Sequence, residues 1–190
     1  MKYYAAYGSN LNARKMKRRC SGAKPVGKAV LEGYHLVYKG EHAHSYLTIE
    51  PFDAASLPMA QPACGYELPE LCIDGKVRLG IWEISDKNEE SLDLYEEYPE
   101  IYTKTTISLE MENRSGEKEQ IEALIYMMHD EQPYALPNRF YEEECSEGFN
   151  DFGFDEAVLS NAKAYTAHNV LAKFSENEEL PADYLELLTF

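Results

Sequence analysis

The chain has 190 residues, 44% of them apolar, with 34 acidic against 18 basic side chains and a formal net charge of −16. That length accommodates one well-buried core and is short for two, so a single domain over 1–190 is expected. No apolar run approaches the roughly 20 residues needed to span a bilayer, and the negative charge repels polyphosphate, so neither a membrane nor a nucleic acid is an expected partner.

Lys2 to Tyr7 reads as a strand. It begins without the charged region, apolar stretch and cleavage site of a secretory signal, so a cytoplasmic location is expected. The strand pattern breaks at Gly8, and Asn12 to Cys20 follows as a short basic helix, with Asn10 or Asn12 as its N-cap. A corner of this kind turns unpaired N–H groups and the positive end of a helix dipole toward whatever sits in it, which suits an anion. Arg14, Lys15, Lys17, Arg18 and Arg19 add full charges behind it. The plainer alternative is that strand-to-helix corners with a glycine are common and most hold nothing.

Val30 to Tyr38 reads as a second strand, and Tyr46 to Ile49 is β-prone up to Pro51. Residues 51–75, with four prolines and little periodicity, form a long connection. Lys76 to Ile84 is a strand. Asp86 and Glu89 make a capping-box-like start to a helix that runs to about Glu96 and is stopped by Pro99. Ile101 to Glu110 and Gln120 to Met128 are alternating strands joined by the hairpin signal Asn113-Arg114-Ser115-Gly116. Asn138 to Cys145, Phe154 to Lys173 and Pro181 to Leu188 have helical spacing. The pattern is a β-rich core flanked by helices.

Cys20, Cys64, Cys72 and Cys145 are scattered without a Cys-x-x-Cys pair, so free thiols are expected rather than a zinc site or a disulfide framework. His42 and His44 lack a third ligand at sensible spacing. His35, His129 and His168 are isolated, and His129 alone, at a strand end, is placed to approach a pocket. No metal and no cofactor is called for. The acidic runs, Glu89 with Glu90, Glu142 to Glu144 and Glu178 with Glu179, are expected to face solvent.

Glu96 follows Leu92 by four residues and so shares its inward-looking face. Asp93, Glu97, Glu100 and the negative end of the helix dipole all favour its protonated form. A carboxyl tuned toward neutral pH can take up a proton and return it within one cycle. The plainer alternative is an ordinary exposed acid at a fraying helix end.

Tyr7-Gly8-Ser9-Asn10, then Gly80-Ile81-Trp82-Glu83-Ile84 leading into Leu92-Asp93-x-x-Glu96, and Tyr102 shortly after, resemble the γ-glutamylcyclotransferase-like superfamily, which includes the γ-glutamylamine and AIG2-like branches. The resemblance implies an α+β fold, a small mixed β-barrel flanked by helices, with an insertion within 51–75. It further implies an enzyme in which a γ-glutamyl amide closes on itself, releasing 5-oxoproline and a free amine or amino acid. Glu96 would be the general acid/base, and Tyr7, Gly8, Ser9, Asn10, Tyr102, Tyr126 and Tyr141 would bind the substrate. Glu97 stands where many relatives have Gly, which leaves the register open by one residue. Two other readings share the scaffold: a non-catalytic module binding an amino acid or peptide end, and the same cyclisation on a larger biosynthetic γ-glutamyl intermediate. The 51–75 segment separates small from large leaving groups, according to whether it closes over the pocket or stands aside.

Overall fold

Five strands close into a barrel in the order β1-β5-β2-β6-β7 in the computed structural model, which describes residues 1–58, 60–175 and 179–190. They are β1 (Lys2–Ala6), β2 (Lys24–Glu32), β5 (Lys76–Ile84), β6 (Tyr102–Asn113) and β7 (Lys118–Met128). Every pairing is antiparallel except the closing one, where Tyr3 and Tyr4 of β1 run parallel to Ala123 and Leu124 of β7. Closure removes the exposed edges an open sheet would present. Strand β5 lies between β1 and β2 and buries Val77, Leu79, Ile81, Trp82 and Ile84, which accounts for its near-continuous apolar run.

Strands β3 (Tyr34–Glu41) and β4 (His44–Pro51) form a separate two-stranded sheet. The single strand expected over Val30 to Tyr38 is therefore two. Gly33, at φ 78, adopts the left-handed conformation that only glycine takes without strain, and it turns the chain out of the barrel. The hairpin is fastened by two buried threonines. Thr48 Oγ1 accepts from the Met128 N–H at 2.9 Å, and Thr166 Oγ1 of α4 (Ala157–Leu171) accepts from the Tyr38 N–H at 2.9 Å.

The remaining helices are α1 (Ala13–Arg19), α2 (Asp86–Tyr95), α3 (Arg139–Phe152) and α5 (Ala182–Leu187). Helix α2 is capped one residue earlier than expected: Ser85 and Asn88, rather than Asp86 and Glu89, exchange the reciprocal bonds of a capping box. Helix α3 continues past Cys145 to Phe152, burying Phe149 and Phe152 against the barrel. Residues 51–75 hold one short 3-10 turn, Ala54–Ser56. Leu68 packs with Leu136, Ala167, Leu171 and Leu188 in a second cluster on the α4–α5 side.

All four cysteines are free. The acidic runs are less uniformly solvated than expected: Glu89 pairs with Lys2 and Lys104, Glu142 with Lys163 and Glu144 with Lys15. Glu178 lies outside the described residues. His42 stacks on Tyr184 and pairs with Asp183 at 3.0 Å. Among the described residues no group of three or more His, Cys, Asp or Glu side chains is arranged to hold a metal ion.

Candidate active site

A cavity of about 240 Å³ opens at one end of the barrel between β1, the β4 strand, the end of α2 and the start of α3. Glu96, Tyr7, Gly8, Ser9, Asn10, Tyr102, Tyr126 and Tyr141 all line it, so the residues singled out from four separate stretches of sequence meet in one place. Tyr4, Tyr46, Leu47, Tyr95, Glu97 and Ile101 complete the wall. Tyr95 was legible as a neighbour of Glu96; Tyr46 and Leu47 depend on how the β3–β4 hairpin folds back, which no local pattern signals. His129 is absent from the lining, its Nε2 lying 2.8 Å from the Pro99 carbonyl oxygen.

The corner after β1 differs from the expected strand-to-helix handover. A 3-10 turn, Ser9–Leu11, intervenes, with Leu11 N donating to Gly8 O and Asn12 N to Ser9 O. The N–H groups of Ser9 and Asn10 are not used by that turn, and both residues line the cavity. The N-terminus of α1 is already occupied: Asn12, not Asn10, caps it through Lys15 N, and Asp151 Oδ2 accepts from Ala13 N at 2.8 Å. Gly8 has a negative φ of −122, so its contribution is space rather than a left-handed turn; a Cβ there would sit 3.3 Å from the Tyr141 hydroxyl.

Glu96 is the C-cap of α2, its N–H bonded to Leu92 O at 2.8 Å, and fully buried Leu92 anchors that turn against the core. The whole residue is only partly covered, yet its carboxylate end is enclosed, and this desolvation pushes the carboxyl up to about 7. Arg19 and the Asn10 hydrogen bond oppose the rise. The cause is therefore burial, not the neighbouring acids. Asp93 accepts from Lys104 Nζ at 2.7 and 2.8 Å, and Glu97 is exposed at the cavity rim.

The tyrosine hydroxyls are each held by a protein partner. Tyr7 donates to the Tyr126 carbonyl at 2.7 Å, Tyr102 to the Leu47 carbonyl at 3.0 Å and Tyr126 to Asp93 Oδ1 at 2.6 Å, while the Tyr141 hydroxyl accepts from Leu47 N at 3.1 Å. Burial raises the pKa of Tyr4, Tyr7, Tyr102 and Tyr141, so these hydroxyls are neutral. They surround the enclosed Glu96 carboxyl, with exposed Glu97 at the rim.

A family model described as "Gamma-glutamyl cyclotransferase, AIG2-like" matches residues 4–145. The chain belongs to this family. It is 33% identical over 99 residues to γ-glutamylaminecyclotransferase B of Danio rerio, a match spanning 52% of this chain and 51% of that protein. A solved structure described as γ-glutamyl cyclotransferase superposes with a TM-score of 0.63 at 19% identity, covering 86% of this chain and 87% of the other. An uncharacterized Homo sapiens protein gives 0.62 at 19% identity over 86% and 87%. At those identities the structures establish the shared barrel fold.

Glu97 has φ 49, a left-handed conformation in which Gly is unstrained, and Tyr98 N closes back on Asp93 O at 2.9 Å in the manner of a Schellman turn.

Proposed function

We propose that the protein is a γ-glutamyl cyclotransferase that converts a γ-glutamyl amide to 5-oxoproline and a free amine or amino acid, with Glu96 as general acid/base and without metal or cofactor. The observation that carries this reading is the carboxyl at about 7 in a neutral tyrosine cup beside the Ser9–Asn10 turn. Family membership supports the reaction class.

The α-ammonium of the substrate first loses a proton to Glu96, and the freed amine attacks the γ-carbonyl carbon. The new C–N bond closes a five-membered ring, the bond to the leaving nitrogen breaks, and Glu96 hands its proton to that nitrogen. Overall the α-nitrogen gives up two protons and the leaving amine departs as an ammonium ion. Because attack is intramolecular, holding the chain curled supplies much of the rate, on the order of several kcal/mol. The fixed tyrosine wall suits that task. N–H groups of Ser9 and Asn10 receive the substrate carboxylate or the developing oxyanion.

The described residues of 51–75, a segment read as an insertion into the family's fold, supply no wall of the cavity, and Tyr46 and Tyr95 at its mouth keep 40% and 39% of their surface exposed. This favours leaving groups long enough to extend past the rim. No helix among the described residues is long and apolar enough to cross a membrane. Incubating the protein with γ-glutamyl amino acids and γ-glutamyl amines of graded length, and measuring 5-oxoproline by mass spectrometry, tests the reading. Turnover of at least one class is expected; binding without 5-oxoproline from any of them would identify a non-catalytic module instead.

A further inference from the structure

Five basic residues occupy α1, and only one turns toward the cavity. Arg14 pairs with Glu147 and Lys15 with Glu144, while Lys17 and Arg18 are exposed. Arg19 lies over the Tyr95 ring, 3.6 Å from its centroid, and donates from Nη2 to the Tyr95 hydroxyl at 2.6 Å. Its Nη1 donates to Asn10 Oδ1 at 2.6 Å, and Asn10 Nδ2 in turn donates to Glu96 Oε1 at 2.7 Å and to the Tyr4 hydroxyl at 2.9 Å. Arg19 itself does not line the cavity.

We propose that Arg19 is a positioning residue for Glu96, acting through the Asn10 side chain. The inference rests on Glu96 being the acid/base. A buried carboxamide beside a carboxylate has two orientations related by a flip. One presents Nδ2 and binds; the other presents Oδ1 and repels. A guanidinium has donors and no acceptor, so by donating to Oδ1 it selects the first orientation. Stacking on Tyr95, the residue before Glu96, ties the same guanidinium to the end of α2. The titratable groups that face Glu96 from the surrounding elements are Tyr4, Tyr7, Tyr95, Tyr102 and Tyr126, with exposed Glu97 beside it; Arg19 is the cation that acts on it.

Arg19→Met keeps the stem over Tyr95 and removes every donor, and Arg19→Lys restores one. For Arg19→Met we expect kcat to fall about 10- to 100-fold with KM within about threefold, and the acid limb of kcat/KM to move up by about one pH unit. Arg19→Lys should bring both back toward the parent. Unchanged kcat and limb in Arg19→Met, or a loss confined to KM, would overturn the proposal, the second because it marks a substrate-binding group. Carboxyl-carbon NMR titration of Glu96, assigned with Glu96→Gln, reads the same coupling without turnover: a midpoint raised in Arg19→Met supports it, and an unmoved midpoint refutes it. A parent protein inactive on every γ-glutamyl amide overturns the cyclotransferase reading alone.

Discussion

Replacing Glu96 by Gln should abolish turnover and, at alkaline pH, stabilise the fold. In the folded protein the carboxyl is raised from the ordinary 4.5 to about 7 by burial. The folded state therefore binds this proton more tightly than the unfolded chain. The resulting stability is fully present below about pH 4.5 and is lost as pH rises through about 7. At ~1.4 kcal/mol per tenfold change in proton affinity, ionised Glu96 costs the folded state about 3 kcal/mol at pH 8. Gln removes that cost, keeps the acceptor that Asn10 uses, and adds an NH2 group needing its own partner, so the net gain falls to about 1–2 kcal/mol. Thermal unfolding of parent and variant at pH 5 and pH 8 reads the difference. We expect near-equal Tm at pH 5 and a variant higher by about 3–6 °C at pH 8. Turnover should drop at least about 10²- to 10⁴-fold, the usual contribution of a general acid–base group. A variant no more stable than the parent at pH 8 refutes the buried-carboxyl argument, and one that still turns over refutes the role.

Glu97→Gly should raise stability by about 1 kcal/mol, measured by denaturant unfolding, because φ 49 strains every residue but glycine, and should leave turnover largely intact. Should Glu97→Gly be the dead variant while Glu96→Gln works, the register of the acid/base is off by one. Gly148→Ala should cost about 1–3 kcal/mol, since a Cβ there meets Asn12 N at 2.7 Å and Leu11 Cβ at 2.8 Å, and the displaced 3-10 turn should raise KM as well. EDTA should leave turnover unchanged, because ring closure by an amine needs no Lewis acid; loss of activity restored by zinc or manganese would require different chemistry.

What was legible in the sequence divides by range. Strands β5, β6 and β7 and the hairpin at Asn113 to Gly116 follow local periodicity and turn chemistry, and they lie where that pattern puts them. Boundaries set by one residue's backbone were harder. The β2–β3 break depends on Gly33 taking a positive φ, and an apolar run masks it. Ser85 outcompetes Asp86 as the cap of α2 because Asn88 can return the bond, a choice between adjacent, equally plausible residues. In the site, sequence proximity suggested a raised carboxyl at Glu96, and the structure raises it by burial instead of by the neighbouring acids. Three nearby acids imply repulsion only if they are unpaired, and Lys104, eleven residues beyond Asp93, pairs with that carboxylate from a barrel strand. Arg19 carried no signal distinguishing it from Arg18; its orientation comes from the face of α1 that meets α2.

The end of α2 shows how one short stretch yields three different acids. Asp93 accepts from Lys104 Nζ and from the Tyr126 hydroxyl, and so fixes a wall of the cavity. Glu97 is exposed beyond the helix, at the rim of the cavity. Glu96, between them in sequence, is turned inward by the helix period that buries Leu92, and it alone loses water without gaining a full counter-ion. Coulomb repulsion among three carboxylates would spread their titrations unpredictably. Pairing one and solvating another leaves the third to be set by burial and by the Arg19–Asn10 contact alone. The same residues that order the pocket thus leave Glu96 as its enclosed carboxyl. A cyclisation that must remove a proton from one nitrogen and deliver it to another a few ångströms away requires such a group.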